Sequence, residues 1–378
     1  TIFWYAGLGE VLTMQARYVE AAEGYMQMLG AAEAAGDDVA QARAWNGLTA
    51  VQEYQGDNRA ALESARRAES LARRAGRAAG ARAELALALN RQGLASHRLG
   101  DAAAVERLGA QVLALSEEMT EGARAARANG LKLLGVAHEV SGRFGEAQEC
   151  FEQSLALLKE LGDRRNFGFM LNNLGVIAHL GADYEEAVRR YTEALEIFRE
   201  IGERTWELPT LGNLAGAQIG LEDYAAAESN LRQAIALAGP AGHFALSMIY
   251  CYLAESFWGQ GKNGEALTTA LNALELGQKT ENQDYIANAW RTLGLVASRS
   301  GSHLRIDDRA YTAAECFAES LRVYTEMGAA AERARTLRDW ARYELASGDS
   351  ARGARMWRES REIFTQLGMT RELERMPE

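Results

Sequence analysis

Apolar residues recur along this chain in paired helical stripes separated by breaks that carry glycine. Between Tyr184 and Ile201, Ala187, Tyr191, Ala194, Leu195 and Phe198 share one stripe by steps of three and four. Glu185, Glu186, Arg189, Arg190 and Glu193 fill the other face. The pattern predicts one helix from about Asn166 to Leu180, a turn at Gly181-Ala182-Asp183, and a second helix from Tyr184 to Ile201. Gly202 is a left-handed stop for that second helix.

The same two-helix phrase returns about every 40 residues. Aligned on Tyr184, its anchors are Tyr18, Asn58, Ala102, Phe144, Tyr184, Tyr224, Asn263, Ala310 and Ser350. A small residue precedes most anchors at the place of Gly175: Gly9, Gly93, Gly135, Ala215, Ala254, Gly294 and Ala341, with Thr49 breaking the rule. An aromatic follows many of them at Tyr25, Phe151, Tyr191, Phe317 and Trp357. The small residue lets two helices approach closely, and the aromatic fills the space between them. Corner glycines at Gly56, Gly100, Gly142, Gly261 and Gly348 are expected to supply a positive φ.

One helix pair exposes apolar surface on both sides. Burying a large side chain yields roughly 1.5–3 kcal/mol, and ordering each residue costs about as much, so several stacked pairs are needed. The expected architecture is a single all-α array over residues 1–378, with repeats near 1–40, 41–80, 81–122, 123–164, 165–204, 205–243, 244–284, 285–330 and 331–378. The wider gap before Ala310 marks an insertion at about Gly301 to Arg309, expected as a surface loop at a helix corner.

Composition agrees with helix throughout: three prolines in 378 residues, and no runs rich in Val, Ile and Thr. A net charge of −11 argues against a broad nucleic-acid or anionic-membrane surface. No apolar stretch is long enough to span a bilayer. Cys150, Cys251 and Cys316 are odd in number and far apart, which suits small apolar residues in a reducing, cytoplasmic setting. The opening Thr1-Ile2-Phe3-Trp4 lacks a basic leader and is expected to be repeat sequence already under way in a longer protein.

Leu174-Gly175 with Tyr184, Ala187 and Tyr191, and Leu134-Gly135 with Phe144, Ala147 and Phe151, resemble the tetratricopeptide repeat in a form of about 40 to 42 residues. The run from Phe151 to Arg164 followed by Leu171-Asn172-Asn173-Leu174-Gly175 is similar to the C-terminal arrays of bacterial signal-transduction ATPases and maltose-regulator-like transcription activators. The stretches from Ala334 to Trp340 and from Phe364 to Glu374 resemble the ends of such arrays. The resemblance implies a right-handed superhelical solenoid of about nine antiparallel helix pairs. It also implies a regulatory module that senses a partner or inducer for an upstream nucleotide-binding module. Kinesin light chains and cell-polarity scaffolds carry similar Leu-Asn-Asn-Leu repeats and bind peptides. Repeats two, three and seven depart from the pattern, with Ala65, Gly109 and Ala270 at the second aromatic position.

First helices of such pairs line the concave side of a stack. The candidate partner-binding residues there are Asn46, Asn90, Asn129, Lys132, Asn172, His179, Trp258, Arg291, Arg338 and Arg342. Helix interiors disfavour Asn, so its recurrence in phase has two readings: amides that hold the backbone of an extended peptide, or hydrogen bonds between neighbouring repeats. The basic set Arg291, Arg335, Arg338 and Arg342 reads either as an acceptor for a carboxylate or phosphate or as a solvated face. Trp258 and Trp340 read as groove surfaces or as core.

Gly259-Gln260-Gly261-Lys262-Asn263-Gly264 matches a dinucleotide fingerprint but follows a helix rather than a strand. The five histidines lack metal spacing, and no nucleophile has a base partner in sequence. No cofactor, metal or catalytic residue is expected. The expected function is non-catalytic protein or peptide interaction within a larger bacterial signalling or transcription-regulating protein. A groove that binds a small-molecule inducer is the alternative.

Overall fold

The computed structural model describes residues 2–238, 245–300, 303–306 and 308–376. The first helices of successive pairs, or A helices, are α1 (Ile2–Met14), α3 (Asp38–Gln55), α5 (Ala81–Arg98), α7 (Ala123–Val140), α9 (Arg164–Leu180), α11 (Arg204–Gly220), α13 (Leu246–Gly259), α15 (Gln283–Ser300) and α17 (Ala330–Ser347). Their B partners are α2 (Tyr18–Ala35), α4 (Asn58–Ala75), α6 (Ala102–Glu117), α8 (Phe144–Leu161), α10 (Tyr184–Ile201), α12 (Tyr224–Ala238), α14 (Asn263–Lys279), α16 (Ala313–Met327) and α18 (Ser350–Gln366). A short helix, α19 (Thr370–Glu374), follows. Every anchor but Ala310 is the first residue of a B helix.

Internal contacts group the chain into two compact units. Unit 1 holds Thr1–Ile177 and Glu193–Glu207, and unit 2 holds Ala178–Thr192 and Leu208–Glu378. In unit 1, α1 touches α3, α3 touches α5, and α5 touches α7. In unit 2, α13 touches α15, and α15 touches α17. Within each unit, the successive A helices named here meet more closely than α2 with α4, α4 with α6, α6 with α8, α12 with α14, α14 with α16 or α16 with α18. Close A helices and splayed B helices put the A helices on the inner side of each unit's curve.

The small residue and the aromatic meet as expected. A Cβ on Gly135 would enter the Phe151 ring, and one on Gly294 would stand 2.7 Å from Phe317. Phe151 and Phe317 are both fully buried. Repeat three, which lacks the aromatic, solves the same problem from its neighbour. Leu133 of α7 fills the space, 2.7 Å from where a Cβ on Gly93 would lie. Serine hydroxyls tie the two helices of a pair: B-helix Ser154 donates to Ala128 O at 2.9 Å and B-helix Ser360 to Ala334 O at 2.8 Å, while A-helix Ser247 donates to Ala273 O of its B partner at 2.7 Å.

The sequence reading needs correction at two places. Residues 301, 302 and 307 of the insertion lie outside the described residues, but the rest is not a plain loop. Strands β1 (Leu304–Ile306) and β2 (Arg309–Tyr311) form an antiparallel hairpin that pairs Leu304 with Tyr311. Leu304 is buried against the unit 2 core, and Tyr311 packs on Trp290 with ring centroids 4.9 Å apart. The anchor Ala310 therefore sits in a strand, and α16 starts at Ala313 behind a capping box formed by Thr312 and Glu315. At the fifth corner, within the expected turn Gly181-Ala182-Asp183, Ala182 takes the positive φ (φ 59). Gly348 has φ −127, so its role is different: a Cβ there would collide with the Glu344 carboxylate, which accepts from Asp349 N at 2.8 Å.

Replacing Gly135 with Ala is expected to cost about 1–3 kcal/mol of stability through overpacking against Phe151. Adding Phe151→Leu should recover part of that loss, because the two changes share one space. Urea titration of the single and double variants checks this, and strictly additive losses would contradict it.

Candidate functional site

The inner A-helix face is polar but largely out of solvent, so each buried polar group there needs a partner. Many partners lie one repeat away. In unit 1, Asn46 Nδ2 donates to Glu84 O at 3.1 Å and to Glu84 Oε2 at 3.0 Å, while Arg43 pairs with Glu84 Oε1 at 2.6 Å. Arg91 pairs with Glu53 at 3.3 Å, and Arg98 donates to Glu53 O at 2.7 Å. Arg165 pairs with Glu203 at 2.5 Å and donates to Tyr54 Oη at 3.0 Å. Tyr54 stacks on Tyr18, whose hydroxyl lies 3.2 Å from Thr205 Oγ1.

Not every group in unit 1 is matched. Asn90 is 4% exposed and Lys132 is 9% exposed, and both sit in the same A-helix slot as Asn46 and Asn172. The side-chain acceptors Asn46 Oδ1, Glu53 Oε1 and Asn90 Oδ1 are buried without a hydrogen-bond partner. Among the described residues, the side-chain contact of Lys132 Nζ is with Asn129 Oδ1, at 3.4 Å. Burial, and then Arg91, push the Lys132 ammonium down to about 8. Burial also raises the Glu53 carboxyl, against the pull of Arg91 and Arg98. Glu139, one repeat beyond His97 in another inner slot, is pushed up to about 7 by burial. Asn172 is buried and engaged with a partner.

In unit 2 the cations are committed. Arg291 pairs with Glu255 at 2.5 Å and with Asp339 at 2.8 Å. Burial works against its charge, but these two carboxylates outweigh it and hold the guanidinium ionised. Arg335 pairs with Glu372 at 2.9 Å, and Arg338 with Glu372 at 2.6 Å and Asp339 at 3.2 Å. Arg335 also donates to Leu180 O at 3.1 Å. Glu372 comes from α19 and is fully buried. Arg371 pairs with Asp183 at 2.9 Å, and Arg375 donates to Gly220 O at 2.9 Å, so α19 is tied to the ends of α9 and α11. Arg342 is exposed.

The remaining candidates are equally definite. His179 lies edge-on to Tyr184, and burial, then Arg335, lower its imidazole to about 4. Trp258 is half-buried beneath Arg299, whose guanidinium stands 4.1 Å from the ring centroid. Trp340 belongs to the core, stacked on Phe317 with centroids 6.2 Å apart. Cys251 and Cys316 are buried and Cys150 half-buried, and all three are free thiols. His243 lies outside the described residues. Among those described, no three His, Cys, Asp or Glu side chains gather at metal-binding distance, and no helix is long and apolar enough to cross a membrane. The glycine-rich match at Gly259 to Gly264 spans the corner between α13 and α14.

The sequence reading missed the carboxylate partners Glu84, Glu203 and Glu372. Their signal was present: each lies 37 or 38 residues beyond an inner-face partner, Asn46, Arg165 and Arg335 respectively.

Residues 168–238 match the family profile described as tetratricopeptide repeat. The regulatory protein AfsR of Streptomyces griseus is 26% identical over 263 residues, which cover 68% of this chain but only 25% of AfsR. The chain thus spans about a quarter of that relative's length. A Rap protein complexed with competence and sporulation factor superposes with a TM-score of 0.71 over 97% of this chain and 98% of its own, at 12% identity. The apo quorum sensor NprR of B. thuringiensis superposes at 0.58, over 96% of this chain and 98% of its own, at 13% identity. A signal transduction ATPase with a tetratricopeptide repeat sensor from Pyrococcus horikoshii superposes at 0.51, over 94% of this chain and 54% of its own, at 12% identity. At these identities the superpositions establish the fold.

Glu372 carries a testable pH signature. Burial alone would raise its carboxyl, but Arg335 and Arg338 outweigh burial and hold it below the usual range. The pairing therefore stabilises the folded chain above the unfolded carboxyl value of about 4.3, and that contribution is lost as pH falls through the lower folded value. Glu372→Gln should lower the urea midpoint near neutral pH and flatten its fall on acidification. Identical pH slopes for both proteins would contradict the assignment.

Proposed function

Because the chain is an array of tetratricopeptide-type repeats, we propose that it is a non-catalytic interaction and regulatory module that holds an extended peptide segment on the inner face of unit 1. The observation that carries this reading is the set of buried acceptors without donors, Asn46 Oδ1, Glu53 Oε1 and Asn90 Oδ1, on the neighbouring helices α3 and α5. An orphaned buried acceptor costs roughly 1–3 kcal/mol. Backbone N–H groups of an extended chain are spaced to relieve several such acceptors at once. Asn90, Asn129, Lys132 and Asn172 are the contact residues in this reading, with Asn46 shared between the ligand and Glu84.

The similar proteins support the regulatory part. AfsR is named a regulatory protein, NprR a quorum sensor, and the Rap protein was captured with competence and sporulation factor. By that analogy the array acts within a larger bacterial regulator, and its peptide ligand biases the state of the rest of that protein. His179, Trp258, Arg291, Arg338 and Arg342 in unit 2 play a supporting role here. All but Trp258 and the exposed Arg342 are enclosed by their own chain.

Panning the whole chain against a randomised decapeptide library tests the reading. A selected peptide should raise the melting temperature in proportion to its occupancy. Asn90→Ala and Asn172→Ala should each weaken its binding about tenfold. Selected peptides whose affinity is unchanged in both variants would place the site elsewhere, and failure to select any peptide would sink the reading.

A further inference from the structure

On each B helix, steps of seven from the residue after its anchor mark one outward stripe. In α2 the stripe holds Val19, Met26 and Glu33, in α8 Gly145, Glu152 and Lys159, and in α10 Glu185, Thr192 and Arg199. In α4 it holds Arg59, Arg66 and Arg73, and every one of these residues is exposed. Arg67 and Arg74 lie one residue further on, and α3 positions them. Arg74 Nε donates to Asp38 Oδ2 at 2.7 Å, and the Arg67 guanidinium stands 4.7 Å from the Trp45 ring centroid. Arg73 Nε donates to Glu69 Oε1 at 2.8 Å, and Glu69 also accepts from Gln92 of α5 at 2.6 Å. The helix thus presents five arginines against Glu63 and Glu69, in a chain of net charge −11. The helices beside it have the opposite sign. In α2, Glu20, Glu23 and Glu33 are exposed and no basic residue offsets them, and α6 exposes Glu106 and Glu117 beside Arg107. The positive band is therefore one helix wide.

We propose that the outward face of α4 docks an acidic α-helix of a partner protein, with carboxylates opposite Arg59, Arg66 and Arg73. This surface is separate from the inner face of unit 1 and does not rest on peptide binding there. Helix pitch supplies the register. At about 1.5 Å of rise per residue, side chains seven apart stand about 10.5 Å apart on both partners. A helix is about 10–12 Å wide, so it covers α4 without reaching the glutamates on either side. A DNA duplex sets its phosphate rows on both sides of a groove about 12 Å wide. Seated on α4, it would bring them over Glu20, Glu23 and Glu33 of α2 and Glu106 of α6, which repel them. Arginine suits the task, because its planar fork takes a carboxylate through two hydrogen bonds. Exposed ion pairs contribute little each, so the contact is salt-sensitive, and its selectivity comes from the register of several charges.

The test uses the whole chain and stapled, alanine-rich helical peptides, read by fluorescence anisotropy at low ionic strength. One peptide carries glutamate at every seventh residue. Its control has the same composition with glutamate at every sixth, which scatters the charges around the helix. Wild type should bind the first about tenfold more tightly than the control. Arg66→Glu should erase that difference, and it should bind better than wild type a peptide whose central glutamate is replaced by lysine. Arg358→Glu makes the same charge change at another exposed B-helix position and should leave binding as it is. Equal affinity for the two spacings, binding that survives Arg66→Glu, or no binding of either peptide would overturn the proposal. Displacement of the peptide by a DNA duplex at equal or lower concentration would overturn it in favour of nucleic acid. Self-association in sedimentation that Arg66→Glu abolishes would give the face to a second copy of this chain and overturn it as well.

Discussion

Everything in this protein depends on the close approach of two helices at a small residue, with a large side chain wedged beside it. Gly135 with Phe151, Gly9 with Tyr25 and Gly294 with Phe317 repeat that contact. It sets the distance between the helices of a pair, and through it the slot that the next pair must fill. Where the aromatic is missing, as at Gly109, the neighbouring helix closes the gap with Leu133 and Leu134. The stack tolerates such exchanges because interiors demand volume more than identity.

The same approach has a consequence on the inner side. A helices brought together there enclose their polar side chains, and enclosed charges require partners. The solution is a ladder with the period of the repeat, in which an amide or guanidinium on one A helix meets a carboxylate one pair away. Unit 2 completes this ladder, down to Glu372 of α19 between Arg335 and Arg338. Unit 1 leaves acceptors and one ammonium over. Fully satisfied polar networks make rigid structure, and partly satisfied ones hold free energy that a ligand of matching pattern can release.

Much of the fold was legible because it is local. The helix read from Tyr184 to Ile201 has those bounds, and the one read from about Asn166 begins two residues earlier, at Arg164. The hairpin at Leu304 to Tyr311 was not legible, because two three-residue strands carry too little pattern to stand out from a loop. The site was legible only as a row of positions. Asn46, Asn90, Lys132 and Asn172 were in the correct slot, yet nothing in their letters says that Asn46 meets Glu84 while Asn90 Oδ1 meets nothing.

What the sequence determined by itself is therefore the repeat: its period, its helix pairs, and the identity of the residues that face inward. These follow from hydrophobic spacing and from glycine at close approaches, and each is decided within about 40 residues of chain. The tertiary structure alone decided which inward charges are neutralised. That outcome depends on side chains 36 to 48 residues apart, as in Arg291 with Glu255 and Asp339, and on ties 155 residues apart, as in Arg335 with Leu180. Electrostatic pairing falls off over a few ångströms, so it is fixed only once the stack has brought distant repeats together.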